Sequence, residues 1–322
     1  MTVCHVHIKT EEAGFFKFEA VKLASDGSEI SRRTLVDWFP NIITDQGLDR
    51  MGDNDDWLTA CQVGTGNTTP TALDTGLVAR IAGTTTSVSN SNGAQASAPY
   101  YGWAQKTFRF GAGTATGNIA EVGVGWSTSG TTLYSRALVL DGGGSPTTIT
   151  VLADEALDVT YQHRTYPPLS DVVGTITVNG IAYNYTARAC GVTKGMSLSS
   201  GVVTDQYGWG LGVSFTGALF GNKAVLFHGY ACSGTINASI TGIPSGSYYE
   251  SSTRSDSAYS AGSLTRSATI TFSLSNANAA GGLEAFRIGY YWSTFQVGFS
   301  PKLPKTSSNN LSMVFSHSWA RH

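Results

Sequence analysis

The chain has 322 residues, a hydrophobic fraction of 41%, and a formal net charge of −2 from 20 basic and 22 acidic residues. That is enough apolar material for two domains or one large one. The balanced charge excludes the electrostatic footprint of a nucleic-acid or anionic-membrane binder, and no apolar run reaches the length of a membrane span.

Only 13% of residues are charged, about half the usual share, while Gly, Ser and Thr are abundant. This favours short strands joined by turns, and a surface that does little to keep copies apart. "MTVCHVHIKTEEAG" lacks the basic and then apolar layout of a secretory signal. The expectation is therefore a soluble protein made in a cytosol. Cys4, Cys61, Cys190 and Cys232 are expected to be free and mostly buried thiols, since they are far apart and form no CxxC.

In chain order, residues 15–39 alternate around Asp26-Gly27 and predict a β-hairpin. "TDQGLDRMG" (44–52) predicts one short helix, capped by Thr44 or Asp45 and closed by Gly52. A strand "LTACQVG" and a polar loop (65–76) follow, and residues 83–99 read as an exposed loop or irregular edge. "KTFRF", "IAEVGVGW", "TLYSRALVL", "TTITVLA" and "ALDVTYQHRTY" are strands. In "IAEVGVGW", Ile119 and Glu121 fall on one face and Val122 and Val124 on the other. "PPL" (167–169) marks a boundary, and residues 173–190 form a hairpin around Asn179-Gly180. The fold class is all-β: two sandwich-like domains in tandem, 1–170 and 171–322, with one short helix near 44–52.

One pattern occurs twice. "TFRFGAGTATGNIAEVGVG" (107–125) aligns without a gap on "TFSLSNANAAGGLEAFRIG" (271–289), matching Thr107, Phe108 and Gly125 to Thr271, Phe272 and Gly289. With a shift in loop length, "LDVTYQHRTY" (157–166) lies on "LSMVFSHSWA" (311–320), pairing Leu157 with Leu311 and His163 with His317. Either the domain is internally duplicated or both stretches share the alternation and glycine turns common to hairpins. Neither copy carries reactive residues.

Catalytic signatures are missing: there is no GxxxxGK[ST], HExxH or GxSxG. His5 and His7 would share a strand face but make at most a pair of metal ligands, short of a usual site, and read better as solvated terminal residues. Asp49, Asp53, Asp55 and Asp56 form an acidic cluster without EF-hand spacing, so a solvated helix end is the simpler account of it than a calcium loop. Asp154 and Glu155 are adjacent and cannot flank one glycosidic bond from a strand; a loop entering the next strand suits them. The aromatics remain. "PYYGW" (99–103), "DQYGWG" (205–210), "YYE" (248–250) and "GYYW" (289–292) suit sugar stacking or protein interfaces as well as core packing, and Tyr100, Tyr101, Trp103, Tyr248 and Tyr249 are the candidate recognition residues.

Several segments together resemble a family of tailed-bacteriophage virion proteins, the tail or tail-fibre proteins. They are "WFPNIITDQGLDRMG" (38–52), "VGTGNTTPTALDTGL" (63–77), "GNIAEVGVGW" (117–126), "LYSRALV" (133–139), residues 146–168 and the ending "PKLPKTSSNNLSMVFSHSWAR" (301–321). The resemblance is dense over 38–168 and thin over 190–265, and the order of the segments carries it. It implies a non-enzymatic structural component of a phage tail, located in the virion. Its partners would be its own copies, as a trimer or hexamer-based ring, and neighbouring tail or neck proteins. It brings no catalytic residues and no cofactor. Residues 1–170 are the candidate anchoring part and 171–322 the candidate contact part. The alternatives are a receptor-binding adhesin touching host surface glycan, a capsid decoration protein and a polysaccharide-cleaving enzyme.

Overall fold

In the computed structural model the described residues are 2–53, 56–95, 97–178, 180–190, 225–227, 248–290 and 293–322. The described residues are mostly strand and contain one helix, so the all-β reading holds. The first half contains β1 (Thr2–Leu23), β2 (Glu29–Pro40), β3 (Ile42–Ile43), the helix α1 (Asp45–Asp53), β4 (Ala60–Gly64), β5 (Arg80–Thr84), β6 (Ser87–Gln95), β7 (Tyr101–Phe110), β8 (Gly117–Ile119), β9 (Glu121–Gly125), β10 (Leu133–Leu138), β11 (Ile149–Val151) and β12 (Ala156–Tyr166). The second half contains β13 (Val172–Val178), β14 (Ile181–Cys190), β15 (Val225–Phe227), β16 (Tyr248–Glu250), β17 (Thr253–Asp256), β18 (Thr265–Phe272), β19 (Leu283–Tyr290), β20 (Ser293–Leu303) and β21 (Leu311–Arg321). No helix among the described residues is long and apolar enough to cross a membrane.

One large sheet of eight strands runs β17-β18-β21-β1-β12-β7-β6, with β2 also on β1. It contains strands from both halves because β1 is 22 residues long. Along one edge of β1, β21 pairs in parallel with residues 2–12 and β2 pairs antiparallel with residues 15–23; β12 takes the other edge. Two smaller sheets complete the sandwiches, β3-β10-β9-β4-β5 and β13-β14-β20-β19-β15-β16. Both pack on the same face of the large sheet. Inward residues of β1 alternate, so Val6 and Ile8 enter the second core while Phe16 and Phe18 enter the first. The hairpin expected over residues 15–39 is thus the far end of a longer strand that already begins at Thr2.

The repeated sequence pattern falls within a set of strand pairings that itself recurs. The ladders β3–β10, β10–β9, β9–β4, β4–β5, β6–β7 and β7–β12 recur, all antiparallel, as β14–β20, β20–β19, β19–β15, β15–β16, β17–β18 and β18–β21. Thr107 faces Thr160 with their hydroxyls 2.9 Å apart, and Thr271 faces Ser312 at the same distance. Register corrects one detail. Phe108 faces Val159 and Phe272 faces Leu311, so Leu311 corresponds to Val159 rather than Leu157. A slip of two residues keeps every side chain on its face, so alternation alone could not fix it.

The predicted helix is α1, and Thr44 is its cap: the Gly47 N–H donates to Thr44 Oγ1 at 3.0 Å. Residues 83–99 include β6, an edge strand of the large sheet. Cys61 is buried and free, and burial raises its thiol pKa far above the ordinary value. The Cys4 and Cys190 side chains and all of Cys232 lie outside the described residues.

Candidate functional site

With both cores on one side, the other face of the large sheet turns outward, although Thr107, Thr160 and Gln162 at its centre are themselves buried. Its rows follow from register. Glu11 neighbours Tyr166; Ala13, Arg164, Trp103 and Gly93 form the next row; Phe15, Gln162, Gln105 and Ser91 the next; then Lys17, Thr160, Thr107 and Ser89. Tyr101 and Trp103 stand on this face two residues apart. Tyr100 precedes the strand and is out of phase with them.

The structure adds residues that the sequence had not singled out. Arg164 lies between two rings, its guanidinium carbon 3.7 Å from the Phe15 centroid and 4.5 Å from that of Tyr101. Its Nε–H donates to Gln162 Oε1 at 2.6 Å. Tyr101 and Tyr166 have centroids 5.3 Å apart, and Tyr166 stacks on His322 at 3.8 Å. Phe15, Tyr101, Trp103, Arg164 and Tyr166 are all partly buried. The signal was present in "YQHRTY", where Gln162, Arg164 and Tyr166 share one parity; what it lacked was the neighbour on β1.

Across β1 the same face changes chemistry. His5 and His7 do share it, but each contacts a serine: His5 Nε2 lies 2.5 Å from Ser316 Oγ and His7 Nε2 lies 3.0 Å from Ser318 Oγ. At the hairpin end the face is ionic. Asp158 accepts from Arg109 Nε and Nη2 at 2.7 Å each and from Arg32 Nη1 at 3.0 Å. Glu155 accepts from Arg33 Nη2 at 2.7 Å, which together with the Leu152 N–H holds its carboxyl below the usual range. Asp154 pairs with Lys22 at 2.8 Å. These acids sit at the entry to β12 and pin the β1–β2 hairpin; they do not face each other across a cleft.

The other predicted candidates go elsewhere. Tyr249 lies on β16 of the second small sheet and packs against the second core. Tyr248 shares that strand, its side chain lying outside the described residues, as does all of 205–210. Asp49 accepts from the Tyr259 hydroxyl at 2.7 Å and from the Gly262 N–H, while Asp56 takes Arg50 at 2.6 and 2.8 Å. Asp53 is exposed at the helix end and Asp55 lies outside the described residues. Asp49 and Asp56 therefore point to separate partners, and no group of three or more metal-ligating side chains occurs among the described residues.

Inside, two polar networks hold the segments in place. Glu121, fully buried, accepts from the N–H groups of Gly66, Val78 and Ala79 at 2.7–3.1 Å and from Arg136 at 2.9 and 3.1 Å. Arg136 also donates to Asp74 and to the Thr68 carbonyl. Between the two cores, Glu12 accepts from the Thr10 and Thr165 hydroxyls at 2.7 and 2.6 Å and lies 2.8 Å from His163 Nε2. Since the Thr10 hydroxyl donates to Glu12, His317 Nε2, 3.0 Å away, must donate to Thr10. Comparison with protein-family models, characterised proteins and solved structures finds no match for this chain.

Proposed function

We propose that this chain is a structural component of a tailed-phage virion, a tail or tail-fibre protein that works as a symmetric homo-oligomer rather than as an enzyme. The observation that carries this reading is the convergence of the resembling segments. Four of them meet around α1 and Arg136. Asp45 N–H donates to the Ala72 carbonyl, Gln46 donates to the Thr75 and Leu133 carbonyls, and Arg136 joins Glu121 to Asp74. The C-terminal segment reaches the same place, where Trp319 Nε1–H donates to the Leu48 carbonyl at 2.9 Å. Segments from residues 38–139 and from the C-terminus thus pack together, which suits a building block. Exposed edge strands β2 and β6 offer surface for neighbours.

The test is the solution mass of the purified chain at several concentrations. A concentration-independent trimer, hexamer or multiple of these is expected, because closed symmetry fixes the copy number. A monomer at every concentration would overturn the self-assembling form of this reading.

The aromatic and cationic rows around Arg164 favour a second role for the same chain, contact with a glycan on the host surface. Binding of the isolated chain to whole bacteria, blocked by soluble surface polysaccharide, would support it.

A further inference from the structure

We infer that the outward face of the large sheet at Trp103 and Arg164 binds an acidic glycan, with a sugar ring laid on the indole and its carboxylate held by the guanidinium. This rests on the receptor-contact reading and narrows it to a chemical class and a place.

The indole is set up as a platform. A Cβ built on Gly93 would stand 2.7, 2.9 and 3.1 Å from Trp103 Cζ2, Cε2 and Nε1. The ring therefore packs closely on the glycine, and the side chain remains partly exposed. An aromatic face of this kind attracts the C–H side of a pyranose, whose burial is apolar and whose hydroxyls stay at the rim.

Beside it stands the cation. Arg164 and Trp103 are registered neighbours on adjacent strands, with Cα atoms about 5 Å apart, so an acidic oligosaccharide laid along this row meets both side chains. The rings of Phe15 and Tyr101 fix the guanidinium plane, which lowers the entropy lost on gripping a planar anion. Gln162 and Tyr166 occupy only part of its donor set. Among the described residues no carboxylate pairs with it, whereas Arg32, Arg33 and Arg109 on the same sheet are all paired. The nearest acid in the rows, Glu11, contacts His322 and Lys9. A stacked, preorganised arginine with donors to spare fits a carboxylate. One row away, the partly exposed Gln105 accepts from the buried Gln162 at 3.2 Å, and its own amide NH2 is the group offered to a sugar hydroxyl.

The experiment is calorimetric titration of the full chain with matched oligosaccharides: uronate- and sialate-containing tetrasaccharides, and the same molecules after carboxyl reduction. At least one acidic member is expected to bind at least tenfold more tightly than its reduced counterpart. Trp103→Ala and Arg164→Gln should each weaken it tenfold or more, with Arg164→Lys intermediate and Lys17→Ala close to wild type. Circular dichroism and melting of each variant show whether the sheet is intact; should Trp103→Ala unfold, Trp103→Leu removes the ring and keeps an apolar cover on Gly93. Equal binding of acidic and reduced forms would overturn the acidic class while leaving receptor contact standing. No binding by any oligosaccharide would overturn both. If Trp103→Ala instead abolishes self-association, the face is an interface between copies and the inference fails.

Discussion

Glu121 and Arg136 have almost no exposed surface; Glu121 accepts five hydrogen bonds and Arg136 donates four, which offsets the cost of burying them. The pair fixes the 65–79 loop against β9 and β10. Removing one partner strands the other charge in the interior, and Glu121→Gln is expected to lower the unfolding free energy by about 3–5 kcal/mol in urea titrations. A loss under about 1 kcal/mol would show that the pair does not hold the loop. His317 supports a second prediction. Burial, then the nearby His7, brings its pKa from 6.5 down to about 3. Between those values the unfolded chain binds a proton that the folded chain refuses. Stability from this group is complete above pH 6.5 and is lost as pH falls towards 3, by at most about 1.4 kcal/mol per pH unit. His317→Gln should flatten the fall in melting temperature between pH 6.5 and 4; an unchanged slope would mean that other groups govern it.

At the scale of elements, α1 was legible because capping and closing residues are local chemistry. Its docking was not: a Cβ on Gly47 would stand 2.2 Å from the Tyr134 carbonyl oxygen, a contact no sequence window contains. Thr44→Ala should cost about 1 kcal/mol for the cap, and somewhat more because Thr44 Oγ1–H also donates to the Leu133 carbonyl at 2.8 Å. Denaturant titration measures it, and a neutral result would contradict the cap. The β1–β2 hairpin was legible from its alternation and Asp26-Gly27 turn. The ion pairs that pin it to the start of β12 were not, since Arg33 and Glu155 are far apart in sequence. Glu155 is buried but Arg33 is half exposed, so solvent screening keeps Glu155→Ala to about 1 kcal/mol. Its clearer mark would be faster amide exchange over residues 29–34.

For the whole molecule, β21 is the joint. It lies between β1 and β18, and without it the strands β17 and β18 have no path to the rest of the large sheet. The inner end of β1 serves both cores, with the Glu12, His163 and His317 network between them. We expect one cooperative thermal transition for the intact chain, and loss of tertiary structure in both halves when residues 311–322 are removed. Two separate transitions, or a truncated chain whose first half melts as in wild type, would show that the sandwiches are independent.

The sequence by itself determined what local chemistry determines. Period-two alternation, glycine turns and one capped nine-residue segment specify strands, hairpins and helix, while the doubled pattern left open whether the core repeats until the ladders were compared. Parity also told which side chains of "YQHRTY" travel together. Only the tertiary structure decided which strand each one lies beside. The parallel pairing of β1 with β21 joins residues some 300 positions apart, and alternation is blind to the identity of a neighbour. That pairing puts both cores on one face of a single sheet, sets Glu12 between two buried histidines, and leaves the opposite face free to assemble Phe15, Arg164, Tyr101 and Trp103 from three separate strands.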